Sequence, residues 1–286
     1  MANIRLIKRR IKSAGNIAQI TRAMELVAAS KMKRAQAAAI AGKTYAQKIY
    51  DMVVRLSAKA EAQKHPLLRR SNRAGGKRLL VLLSTNKGLC GGLNANLSRF
   101  LVSQYRVLTD VNAVSVGKKG TAMLLRTGAV LTADFSDTIP RAAAVPALTA
   151  FITESYASGT YDRVDVVFSE FHSVVMQEPR MKTLLPITIE ALPEQKKDQP
   201  IEFLIEPSVD EVFEALLPHY IENQLRDALF QAEASEHASR MIAMRNATDN
   251  AMALMEELTL LYNKARQEKI TYEITDMVTA RLAVAE

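Results

Sequence analysis

The apolar positions nearest the N-terminus step by threes and fours. Ile4, Ile7, Ile11, Ala14, Ile17, Ile20, Met24 and Val27 form the series, the narrow seam of a helix that meets one partner helix. No proline falls in residues 2–63, and Gly15 and Gly42 are the only glycines there. One long helix is therefore expected from Ala2 to about Gln63, roughly 90 Å at 1.5 Å per residue. It should stop near His65-Pro66, because the residue before a proline is pushed out of helical dihedrals. "RRSNRAGGKR" then reads as an exposed linker. At the other end, Pro207 and the box Ser208-x-x-Glu211 open a helix. Pro218 is expected to break or kink it after one or two turns. From about His219 onward there is neither proline nor glycine, so a second very long helix follows. Its seam is Ala251, Leu254, Leu258, Leu261, Ala265, then Ile270, Ile274 and Met277.

Between these helices the period changes. Leu79 to Leu83 is a continuous apolar run of the buried-strand kind, Leu93 to Leu108 is helical, Ala113 to Val116 a short strand and Lys118 to Arg126 a helix. Ala129 to Leu131, Pro146 to Ala157 and Arg163 to Phe171 then read as strand, helix and strand. Such alternation implies βαβ units and a mostly parallel sheet. Met181 to Glu190 and Ile201 to Ile205 read as edge segments around the hairpin-like excursion "LPEQKKDQP". The expected architecture is α/β plus a long antiparallel coiled coil, in which N- and C-terminal helices pair around an inserted Rossmann-like domain. Its boundaries are 1–64, 77–206 and 207–286.

Charge sharpens this division. Residues 1–78 carry 19 Lys+Arg against 3 Asp+Glu and residues 79–286 carry 19 against 27, so +16 precedes −8. A basic arm suits a polyanionic or acidic partner, although it also suits a solvated helix face. No apolar run approaches the ~18 residues of a membrane span, and no signal peptide is visible, so cytosolic synthesis is expected. The single Cys90 excludes an internal disulfide and reads as a small apolar residue, and the four histidines lack zinc-ligand spacing.

The most enzyme-like stretch is "RLLVLLSTNKGLCGGLNANL", residues 78–97. Its glycines are Gly88, Gly91 and Gly92, which match neither G-x-G-x-x-G nor G-x-x-x-x-G-K-[ST]. Lys87 precedes the first glycine, and Asp110 lies before the next strand rather than after it. A tight turn packing a helix on a sheet fits better than a phosphate cradle. No Ser or His sits with a base and an orienter. Asp162, Asp165, Glu256 and Glu257 read as solvated charges, and Met24, Met241, Met244, Met252, Met255 and Met277 as helix-seam filler with an adaptable contact surface as the functional alternative.

Three stretches together resemble the gamma subunit of F-type ATP synthases: "IKSAGNIAQITRAMELVAASKMKRAQ" at 11–36, "STNKGLCGGLNANL" at 84–97, and "SEHASRMIAMRNATDNA" with "LYNKARQEKITYEITDMV" within 235–278. The resemblance covers the chain in order. It implies a non-catalytic central-stalk rotor subunit without cofactor, metal or active site. The terminal helices would turn inside a ring of three alpha and three catalytic beta subunits, and the α/β domain would sit on the c-subunit ring beside the epsilon subunit. Rotation driven by proton flow would reach the catalytic head for ATP synthesis or hydrolysis. The implied location is peripheral, on the cytoplasmic face of a bacterial inner membrane, with no membrane insertion and no nucleic-acid partner.

Residue by residue, the resemblance implies partner contacts to the alpha and beta subunits at Met24, at Lys87, Gly88, Cys90 and Gly91 in the turn, and at Arg266, Gln267, Thr271 and Glu273. The family's beta subunits carry an acidic loop on the lever that presses the shaft, which gives the basic arm its counterpart. An opposite-charge pair at 4 Å is worth at most about 4 kcal/mol at an effective dielectric near 20, before desolvation. Two departures stand out: Asn86 and Lys87 replace the family's Asp-Arg pair before the glycines, and Thr279, Ala280 and Arg281 intervene in the C-terminal signature. Two rival readings are a nucleic-acid-binding coil built on the basic arm and a nucleotide-dependent enzyme built on residues 79–190.

Overall fold

The computed structural model describes residues 4–57, 65–68, 77–105, 111–188 and 205–285. The chain divides into two compact units, Met1–Ala28 with Arg240–Glu286, and Ala29–Ser239. Helix α1 spans Ile4–Ser57, as the absence of proline and the alanine content require. The expected residues 58–63 of that helix, most of the 69–78 linker, and residues 106–108, 189, 190 and 201–204 lie outside the described residues.

The larger unit holds a five-stranded sheet. Its elements in chain order are β1 (Arg78–Leu83), α2 (Leu93–Gln104), β2 (Asn112–Val116), α3 (Lys118–Arg126), β3 (Val130–Asp134), a 3-10 turn (Arg141–Ala144), α4 (Val145–Ala157), β4 (Arg163–Phe171) and β5 (Gln177–Leu185). Strand order is β3-β2-β1-β4-β5. β1 pairs in parallel with β2 (Val81 opposite Val114) and with β4 (Val81 opposite Val166). β5 pairs antiparallel with β4 through a hairpin that sets Phe171 opposite Gln177. That hairpin register begins the edge strand at Gln177 and ends it at Leu185, earlier than the expected Met181 to Glu190.

β1 is apolar at every buried position because it is covered on both faces. Leu79, Val81 and Leu83 point to one core with Val164, Val166, Leu148 and Ile152. Leu80 and Leu82 point to the other, with Leu97, Leu101 and Leu124 from α2 and α3. The first core also receives Ile49, Val53 and Leu56 from α1 and a stripe Phe213, Leu217, Ile221, Leu225 and Leu229 from the last helix. Each fully buried side chain of this size contributes about 1.5–3 kcal/mol.

The last helix, α5, runs Val209–Ala285 with Pro218 inside it, which corrects the expected break. Pro218 removes one backbone donor, but the apolar stripe is buried on both sides of it, at Phe213, Leu217 and Ile221, and holds the helix in place. Ser208 caps α5 as expected: the Glu211 amide donates to Ser208 Oγ at 3.3 Å. The return bond differs from the box, since Ser208 Oγ donates to the Glu211 carboxylate at 3.1 Å.

In the smaller unit the two terminal helices pair antiparallel. Thr21 meets Thr248, and a Cβ at Gly15 would stand 3.2 Å from Met255 Sδ. The buried seam of α1 is Ile7, Ala14, Ala18, Thr21 and Ala28. This corrects three of the eight expected positions, for Ile17, Ile20 and Val27 are exposed, Ile20 by 60%. Both sets obey three-and-four spacing, and the small set wins because it brings the backbones close. On α5 the buried positions are Met244, Thr248, Ala251 and Ala265, with Met255, Leu258 and Tyr262 half-buried between them. The expected Leu254, Leu261, Ile270, Ile274 and Met277 are exposed. Of the methionines read as seam filler, Met244 is buried, Met24, Met241 and Met255 are half-buried, and Met252 and Met277 face outward.

Candidate partner-contact surfaces

The glycine-rich turn follows the central strand at the point where the chain has neighbours on both sides of β1, the usual ligand crevice of an open α/β sheet. Here the chain's own groups fill it. Ser84 Oγ donates to the Gly117 carbonyl at 3.0 Å and accepts from the Gly120 amide at 2.7 Å. Arg141 donates through one terminal nitrogen to the Ser84 carbonyl at 2.9 Å. The cavity left among Leu83, Val116, Arg141, Leu148, Leu225 and Leu229 is about 10 Å³, room for about one water. Gly117 has φ 126°, and a Cβ there would lie 2.4 Å from the Ser84 carbonyl oxygen, so only glycine permits this close approach.

The turn itself is tied down from within. Asn94 Nδ2 donates to Thr85 Oγ1 at 2.8 Å and faces Cys90 Sγ at 3.3 Å. Asn86, one of the two departures from the family pattern, accepts from the Lys118 amide at 3.0 Å and so caps α3. Cys90 is 2% exposed, consistent with its reading as a small apolar residue, and its carbonyl accepts from Ser239 Oγ at 2.7 Å. Its thiol therefore presents no surface, and direct contact or crosslinking through that sulfur is not what the turn offers. Lys87 and Gly91 are exposed and Gly88 is half-buried. Gly91 needs its glycine, at φ 54°, whereas a Cβ at Gly88 would meet nothing. Leu89, which sequence reading passed over, stands at φ 60° and is 64% exposed. A branched apolar side chain held outward in a left-handed conformation is costly, and its signal in the sequence was an apolar residue between glycines.

The other expected contact residues lie in the smaller unit. Met24 is half-buried on α1, while Arg266, Gln267, Thr271 and Glu273 are exposed on α5. At 100° per residue, Arg266 and Glu273 share one line of the helix, and Gln267 and Thr271 share another. Lys269 Nζ lies 3.3 Å from Glu273 Oε1, and Thr271 Oγ1 donates to the Gln267 carbonyl at 3.0 Å. The register that sets Thr21 against Thr248 and Gly15 against Met255 places Met24 and Arg266 roughly 30 Å apart along the pair. The structure thus does not gather these residues into one site. They mark separate stations, and from Arg266 to Arg281 no residue of α5 is buried.

Two polar knots escaped sequence reading. Asp165, expected to be solvated, is 1% exposed. It accepts from Arg163 Nε at 2.8 Å and from Thr183 Oγ1 at 2.7 Å, and Arg163 also donates to Thr183, tying β4 to β5. Burial first, and the Asp165 charge second, push the Tyr105 hydroxyl up to about 12. The second knot centres on Arg141, 11% exposed, whose Nε donates to Glu233 at 3.1 Å and whose other terminal nitrogen donates to Glu236 at 2.7 Å. Among the described residues no group of three or more His, Cys, Asp or Glu could hold a metal ion, and no helix is long and apolar enough to cross a membrane.

A mixed five-stranded sheet set in the chain between two very long terminal helices defines the class: an α/β protein with long N- and C-terminal helices. The ATP synthase family model matches residues 3–284. The ATP synthase gamma chain of Dehalococcoides mccartyi is 40% identical over 300 residues, covering all of both chains, and that of Roseiflexus castenholzii is 38% identical over 292 residues, again covering both in full. The chain belongs to the ATP synthase gamma-chain family. A solved central-stalk and c-ring structure of the Tetrahymena thermophila mitochondrial ATP synthase contains a chain 25% identical to it, with a TM-score of 0.59, covering 80% of this chain and 99% of that one. A chain of the Euglena gracilis mitochondrial enzyme shares the fold at a TM-score of 0.66 and 20% identity, covering 98% and 94%.

Proposed function

We propose that the chain is the central-stalk rotor subunit of a proton-driven ATP synthase and performs no chemistry itself. The full-length match to bacterial gamma chains carries this reading. In it, the helix pair turns inside three alpha and three beta subunits, and the α/β unit meets the c-subunit ring and the epsilon subunit. The complex is held peripherally at the cytoplasmic face of the inner membrane.

The seam supports the reading in physical terms. A seam of Ala14, Ala18, Ala28 and Ala251 makes a slim, closely packed pair, and its outward face is a mixture of Ile20, Leu26 and Val27 with Arg5, Lys12 and Arg22. Such a surface can press on a sleeve through weak contacts that exchange as it turns. Lys87, with Leu89 beside it, is the cation that the beta lever would meet, and Arg266, Gln267, Thr271 and Glu273 would meet the catalytic subunits further along α5. The α/β unit's crevice, filled by Arg141 and Ser84, supports a part that binds no nucleotide.

Reconstitution with alpha and beta subunits tests the reading. Native mass should give one copy per three of each, and the isolated chain should hydrolyse no ATP. A stable complex of any other ratio would overturn it. A salt series on duplex DNA discriminates the nucleic-acid alternative, which requires a steep slope.

A further inference from the structure

Between Gln231 and Ser239 the way α5 is held changes. From Phe213 to Leu229 its inner stripe is apolar, with Lys182 donating to Gln224 as a polar tie beside it. Over the next turns the contacts are directional. The Phe171 amide donates to Gln231 Oε1 at 3.2 Å, Ser235 Oγ donates to the Ser169 carbonyl at 2.9 Å, and Ser239 Oγ donates to the Cys90 carbonyl at 2.7 Å. Arg141 adds Glu233 and Glu236 while keeping hold of the Ser84 carbonyl. Five side chains of nine consecutive residues thus reach the carboxyl end of β4, the turn after β1 and the 3-10 turn.

Apolar packing resists separation but has little directional preference, whereas hydrogen bonds weaken steeply with distance and angle. At a side-chain radius of about 5–6 Å, turning α5 by about 20° would displace these groups by about 2 Å and break the bonds. A buried ion cluster adds little net stability over an apolar replacement, so holding an angle is the better account of why charge is buried here. Arg141 suits the task, because its planar fork fixes several acceptors at once.

We propose that Arg141, Glu233 and Glu236, with Ser235 and Ser239, form the clamp by which the α/β unit fixes the angular setting of α5 and passes torque to it. The proposal rests on the rotor reading above. Arg141 is in this sense a positioning residue, acting through α5 and not on any substrate.

The test uses whole ATP synthase in inverted membrane vesicles, with native mass confirming one copy of the chain per complex. ATP hydrolysis and ATP-driven acidification, read by quenching of an acridine dye, are measured in the same vesicles. Arg141→Met should lower protons pumped per ATP hydrolysed about threefold or more while hydrolysis itself changes less than about twofold, with Arg141→Lys between it and the unaltered complex. A merely structural loss would lower both rates together and leave their ratio intact. That unchanged ratio overturns the clamp. Should Arg141→Met fail to assemble, the double variant Glu233→Gln, Glu236→Gln keeps side-chain shape and decides the question by the same ratio. If complexes with the unaltered chain assemble at the right mass but hydrolyse ATP without pumping, the rotor reading falls, independently of the clamp.

Discussion

The two compact units solve opposite problems. The α/β unit closes on itself: its sheet is covered on both faces, its crevice is filled, and its buried charges Asp165 and Arg141 are met by Arg163, Glu233 and Glu236. The helix pair is open: its seam is mostly alanine and threonine, while Ile17, Ile20, Leu26 and Leu254 face outward. One unit buries its large apolar side chains, and the other turns many of its own outward, where a partner can meet them.

The contrast can be broken first where the α/β unit is tightest. Gly117→Ala sets a Cβ against the Ser84 carbonyl and should cost roughly 2–4 kcal/mol in denaturant unfolding of the chain. An unaltered midpoint would mean that the β1 turn is not packed as described. Next comes the helix seam. Ala18→Leu overfills the closest approach and should cost about 1–3 kcal/mol, whereas Ile20→Gln, though chemically more drastic, should stay within about 0.5 kcal/mol in the isolated chain. In assembled complexes the order should change, with Ile20→Gln weakening retention of the chain on the head. The reverse ranking in the isolated chain would restore the isoleucine seam.

A subtler effect lies within the seam. Thr21 Oγ1 and Thr248 Oγ1 are 2.7 Å apart and buried, and Thr248 also donates to the Met244 carbonyl at 2.9 Å. Either threonine changed to valine should cost about 1 kcal/mol, and the double variant less than the sum by about 0.5 kcal/mol or more. Strict additivity in that cycle would show the hydroxyls uncoupled. The smallest effect is a pH dependence. Burial lowers the His65 imidazole below its ordinary value of 6.5, with Glu214 opposing. The unfolded chain then binds the proton more readily, so this contribution is full above pH 6.5 and is lost as pH falls through the unfolded value toward the folded one. His65→Gln should flatten that slope in thermal unfolding between pH 7 and 5.

Much of this was legible because two periods in the sequence differ so plainly. Lys118 to Arg126 and Arg163 to Phe171 were read to the residue, since glycine, apolar runs and charge mark their ends. The fold class followed from strands alternating with helices between two uninterrupted helical stretches. What was not legible depended on partners far along the chain. Nothing local distinguishes Ala18 from Ile17 as a seam position, because which face is buried is set by the facing helix at Thr248. Asp165 looked solvated because Arg163 is its near neighbour but Thr183 reaches it only through the hairpin. Arg141 meets Glu233 and Glu236 across more than 90 positions, a pairing no spacing rule encodes. Pro218 does not end the helix, because burial on both sides of it outweighs one lost hydrogen bond.

In the proposed rotor the helix pair turns inside a stationary head, and the α/β unit turns with it. Ser158→Cys places a thiol on the exposed end of α4, with Cys90 buried and out of reach. A bead attached there, on head complexes fixed to glass and given ATP, should rotate in one direction and pause three times per turn. A bead that stays bound and still while the same complexes hydrolyse ATP would contradict the account.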